Sequence, residues 1–153
     1  MRLRVENGEI SIVEARKVDG PLTMPDKIDG NLAYEVTVGS KRRIAAGSIA
    51  DVGVNRSFPN PQAVPGQEGH FFVELPSYEF NVRIPRESLS PSTLPRAEIA
   101  IYRVKTPVSE SIGVDKPLRS QFASELREVA RLKGIPVKKL PRSIQSEINR
   151  LFR

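Results

Sequence analysis

Asn31-Leu32-Ala33-Tyr34-Glu35-Val36-Thr37-Val38 alternates along its whole length, with Leu32, Tyr34, Val36 and Val38 in one parity and Asn31, Ala33, Glu35 and Thr37 in the other. A period of two is the pattern of a β-strand with one buried face. Tyr78, Phe80, Val82 and Ile84 alternate with Glu79, Asn81 and Arg83 in the same way. Less regular strands are predicted at Arg2–Val5, Glu9–Arg16, Arg43–Ala50, His70–Leu75 and Ala97–Lys105. The last is apolar in both parities from Ile99 to Tyr102, as a central strand is.

Asn7-Gly8 separates the first two strands and Gly39-Ser40 follows the third, so hairpins and antiparallel pairing are expected at both places. Six or seven short strands with no helical pattern between them define a mainly β fold, an antiparallel β-sandwich or a partly open barrel.

The chain changes character after Thr106-Pro107. Leu118, Phe122, Leu126 and Val129 recur at helical spacing and predict a helix over 117–133, with Asp115 placed to cap it and Gly134 to stop it. A second helix is predicted from Pro141, carrying Ile144, Ile148, Leu151 and Phe152 on one face and Arg142, Arg150 and Arg153 on the other. The expected organisation is a β-domain over 1–107, a linker over 108–116 and a basic C-terminal pair of amphipathic helices over 117–153. Residues 51–69, with Gly53, Pro59, Pro61, Pro65, Gly66 and Gly69, form a long connection without a pattern of its own.

Charge follows the same division. Residues 1–115 hold 14 Lys and Arg against 15 Asp and Glu, a net −1, whereas residues 116–153 hold 10 against 3, a net +7. A cationic cluster of this kind attracts nucleic acid, lipid headgroups or acidic protein. The 153 residues suffice for one packed domain, and 39% hydrophobic with 27% charged residues is a globular composition. With no cysteine there is no disulfide, thiolate metal site or thiol nucleophile. No apolar run matches a signal peptide or a membrane span, so a cytoplasmic location is expected.

Catalytic and cofactor motifs are sparse. His70 is the sole histidine, and no G-x-S-x-G, G-x-x-x-x-G-K-[ST] or G-x-G-x-x-G stretch occurs. Asp19, Asp26 and Asp29 lack the spacing of a calcium loop, and Asp19-Gly20 and Asp29-Gly30 read as turns. No metal, no cofactor and no catalytic group is therefore expected. Lys41, Arg42 and Arg43 read as charges guarding a sheet edge.

Two groups of residues are candidates for binding. Arg56 and Phe58, set among prolines, together with the apolar Phe122, Leu126, Ile148 and Phe152, suit contacts with a protein partner or a second copy of the chain. Arg127, Arg131, Lys138, Lys139, Arg142 and Arg150 suit a polyanion. Within this region Glu125-Leu126-Arg127-Glu128-Val129-Ala130-Arg131-Leu132-Lys133-Gly134-Ile135-Pro136-Val137 resembles the helix-turn-helix part of ribbon-helix-helix DNA-binding proteins. Pro141 and the gap at 107–115 depart from that family's pattern, and no DNA-reading residue is carried over. The expected function is a noncatalytic protein-interaction or assembly module. The alternative is a nucleic-acid-binding protein that grips phosphates through its basic C-terminal helices.

Overall fold

The computed structural model describes residues 1–22, 25–39, 41–49, 54–57 and 71–152, with backbone alone at 54–57 and 71–74. Among the described residues nine strands form in the order β1 (Arg2–Glu6), β2 (Glu9–Glu14), β3 (Leu32–Val38), β4 (Arg42–Ile49), β5 (Val54–Ser57), β6 (Phe71–Glu74), β7 (Ser77–Asn81), β8 (Ala97–Val104) and β9 (Leu126–Lys133). Two α-helical segments accompany them, a single turn α1 (Leu118–Gln121) and α2 (Arg142–Leu151). The fold is mainly β, as expected. Two open antiparallel sheets have the orders β2-β1-β7 and β4-β3-β8-β9, and β5 pairs with β6 as a separate ladder.

Asn7 and Gly8 take φ of 51° and 81°, the left-handed pair that a tight hairpin between β1 and β2 requires. Gly47 answers a different demand. It lies directly across from Tyr34, and a Cβ there would stand 2.6 Å from the tyrosine ring.

The principal core gathers one face of each large sheet. Leu3, Val5, Ile10 and Ile12 from the smaller sheet join Leu32, Tyr34, Val36, Ile99, Ile101 and Ala130 from the larger. Ile144 and Ile148 of α2 complete it, at the helical spacing read from the sequence. The Glu147 carboxylate on the same helix accepts the Ala15 N–H at 3.1 Å.

A second, smaller core lies on the other face of the larger sheet. Ala33, Ala46, Ala100 and Tyr102 are covered there by Val108, Leu118, Phe122 and Leu126. Residues 108–116, expected as a linker, thus pack across the sheet and, together with Pro117 and α1, form a strap over it. The Ile112 N–H donates to the Asp26 carbonyl at 2.7 Å, and the Arg43 N–H to that of Asp115 at 3.0 Å. Asp115 caps no helix.

The predicted helix over 117–133 is replaced by α1, a turn and β9, so the expected pair of helices reduces to one helix of ordinary length, α2. Every helix former in Leu126–Lys133 is overridden by pairing with the β8 edge, where Ile99 faces Leu132 and Ile101 faces Ala130. A bulge leaves Val129 as an extra residue between Ala130 and Glu128. That extra residue breaks the alternation, and the apolar positions 126, 129, 130 and 132 then imitate a helical stripe. The resemblance of 125–137 to a helix-turn-helix ends here, since most of that segment is extended.

The boundary expected after residue 107 falls between two paired strands. A chain ending there lacks β9, the strap and α2, and with them Ala130, Ile135, Ile144 and Ile148 of the principal core. Circular dichroism melting of that truncated chain is expected to show no cooperative transition, in contrast to the full chain. A sharp transition would mean that the remaining strands are self-sufficient.

Candidate functional site

The second face of the larger sheet concentrates the buried polar groups. Along β3 the parity opposite to Leu32, Tyr34 and Val36 carries Glu35 and Thr37, both buried at 2% and 3% exposure. Antiparallel register sets Ala33 against Tyr102, Glu35 against Ala100 and Thr37 against Glu98, so all of these share the face.

The two edge strands add charges through their bulges. In β4 an extra Ile44 brings Arg43 opposite Thr37, and in β9 the extra Val129 brings both Glu128 and Arg131 to the Tyr102 side. In an unbroken strand two residues three apart would point to opposite faces.

Glu35 is the hub of the group. Its Oε1 accepts the Tyr102 hydroxyl at 2.5 Å and its Oε2 accepts the Leu118 N–H of the strap at 2.7 Å. Arg131 stands beside them. Its Nη2 and Nε donate to the Glu128 carboxylate at 2.5 and 2.9 Å, and its Nη1 to Glu98 at 2.7 Å. Arg43 donates from Nη2 to the Gly113 carbonyl at 2.5 Å, while its Nη1 is buried without a hydrogen-bond partner.

Burial, and then the hydrogen bond to Glu35, pushes the Tyr102 phenol well above the ordinary tyrosine value. It therefore remains a neutral donor at physiological pH. The paired Arg131 holds the Glu128 carboxyl below the ordinary 4.5, and Glu128 in turn raises Arg131. Burial lowers Arg43, with Glu35 and Asp115 opposing it. Both oxygens of Glu35 are engaged, so the network fixes these groups in place.

A cleft of about 340 Å³ opens beside this network. Glu35, Thr37, Glu98 and Tyr102 line it from the sheet, Arg131 and Lys133 from β9, and Pro117 and Arg119 from the strap. Among the described residues no group of three or more His, Cys, Asp or Glu side chains is placed to hold a metal ion.

The residues singled out from sequence are dispersed. Phe122 and Leu126 are buried in the second core, Ile148 is buried in the principal core, and Phe152 is half-buried against it. Their apolar surface is taken up within the chain. Phe58 and His70 lie outside the described residues, as does the side chain of Arg56. Arg131 belongs to the network and the cleft. Arg127 on β9, Lys138 and Lys139 in a 3-10 turn, and Arg142 and Arg150 on α2 are exposed.

Sequence reasoning passed over Glu35, Thr37, Glu98, Tyr102, Arg119, Glu128 and Lys133. A signal for some of them was present. Ala33 in the polar parity of β3 and the two-sided apolar run of β8 together mark a sheet covered on both faces, where Glu35 must find partners.

No family model matches the chain, and neither a curated protein nor a solved structure matches it.

Tyr102→Phe leaves Glu35 Oε1 without its donor and is expected to cost about 1–3 kcal/mol in denaturant unfolding. The pH dependence has a definite sign. Because the folded-state Glu128 carboxyl titrates below 4.5, its stabilising contribution is complete above that pH and disappears as pH falls through the depressed value. Melting curves between neutral pH and the acid range should show a loss in wild type that is smaller in Glu128→Gln.

Proposed function

We propose that the chain is a noncatalytic interaction or assembly module, a β-sandwich scaffold presenting a cationic surface to an acidic protein partner. The observation that carries this reading is the state of the cations. Arg127, Lys138, Lys139, Arg142 and Arg150 are exposed and form no ion pair among the described residues. Charges left in water without partners contribute little to folding, and they steer association with an oppositely charged surface.

Nucleic acid is the second reading, and α2 favours it. Its outward residues Arg142, Ser143, Ser146, Asn149 and Arg150 include no acid, and a helix of this kind fits a duplex major groove. Against a single-stranded partner stands the shortage of stacking groups. The exposed large apolar residues among those described are Val18, Leu75 and Val114, none of them aromatic.

The two readings separate by titration with an acidic peptide, duplex DNA and single-stranded RNA at low and physiological salt. The module reading expects peptide binding that survives physiological salt and weakens about tenfold or more when all five cations become Gln. Nucleic-acid binding that survives physiological salt and is lost in that variant would put the second reading first. No binding by any of the three probes would remove both.

A further inference from the structure

We propose that the cleft between β9 and the strap binds a small molecule through an oxyanion group, a phosphate or a carboxylate, held between Arg119 and Lys133. Most of the charged groups around the cleft already have partners. Both oxygens of Glu35 accept hydrogen bonds from Tyr102 and Leu118, and Glu98 is turned to Arg131. Arg131 is neutralised in turn by Glu128 and Glu98. The acidic lining groups are thus engaged by donors of the protein.

The cations at the mouth are in a different state. Arg119 is 72% exposed, and its nearest carboxylate contact is a single nitrogen 3.9 Å from Glu128. Lys133 is exposed and makes no ion pair among the described residues. The lining holds three cations and two carboxylates, and Glu128 beside it takes up Arg131, so the positive charge offered to an entering anion is concentrated at Arg119 and Lys133. A guanidinium offers paired donors that match a phosphate or carboxylate, and an ammonium adds a point charge.

The cleft is also built in advance. Its floor is fixed by the hydrogen bonds of Glu35, Tyr102 and Arg131, which lowers the ordering cost of binding. About 340 Å³ lies at the small end of ligand sites and leaves room for an oxyanion with a short organic group beside Pro117. This site is separate from the cations at 138–150, and its test does not depend on theirs.

The test is an amide chemical-shift titration of the full chain with inorganic phosphate and, separately, acetate, at constant ionic strength against chloride. Saturable shifts are expected at Thr37, Arg119 and Lys133 with one or both anions, and the stronger of the two identifies the oxyanion. Lys133→Gln and Arg119→Gln alter exposed side chains and should melt as wild type does. Each should weaken binding about tenfold, while Lys138→Gln with Lys139→Gln leaves it unchanged. Equal shifts with chloride, shifts that never saturate, or unchanged affinity in the Lys133 and Arg119 variants would overturn the proposal.

Discussion

A carboxylate in the middle of a buried strand is the constraint around which the larger sheet is arranged. Glu35 is 2% exposed, and an ionised group in that position is costly unless its oxygens are met by donors. The Tyr102 hydroxyl supplies one and the strap N–H of Leu118 the other. The first ties β8 to β3 in register, because a slip of one residue would turn Glu35 into the principal core and Tyr34 out of it. The second ties the strap to the sheet at the point where Leu118 and Phe122 cover Ala33 and Ala100. One side chain thereby couples strand register to the covering of the second face.

The edge strands extend the same arrangement. β4 and β9 flank the larger sheet, and each carries a bulge that sends an additional charge to the face of Glu35. Arg43 holds the strap through Gly113, and Glu128 engages Arg131. Bulges and inward-turned charges are also the usual means by which an edge resists pairing with another sheet. The charges that the edge strands add to the network and the protection of those edges therefore have one origin, the two extra residues Ile44 and Val129.

Legibility in the sequence followed the regularity of the alternation. β1, β3, β4 and β8 could be read because period two survives in them or because both faces are apolar. The Asn7-Gly8 turn was legible from its left-handed requirement, and α2 from the spacing of Ile144 and Ile148. β9 was misread because residues of high helix propensity coincide with a bulge, and pairing with the preceding strand β8, which the local pattern does not show, decides its conformation. The cleft was hidden for a related reason. Glu35, Glu98 and Lys133 look like solvent-facing residues of half-buried strands until the strap is known to cross that face.

The charge division along the chain gains a physical meaning from the placement of its acids. Residues 116–153 contain Glu125, Glu128 and Glu147. Glu128 is engaged by Arg131, Glu147 accepts the Ala15 N–H beneath α2, and Glu125 accepts the Ser124 hydroxyl at 2.9 Å. Glu147 is thus drawn into a tertiary contact and Glu128 is paired within β9, while Arg127, Lys138, Lys139, Arg142 and Arg150 face water. The electrostatic asymmetry at the surface is sharper than the count of residues implies, because folding withdraws negative charge from this part of the chain more than positive. A field built in this way acts over roughly a Debye length of about 8 Å in physiological salt, so it guides a partner close to the surface and leaves specificity to the shape it meets there.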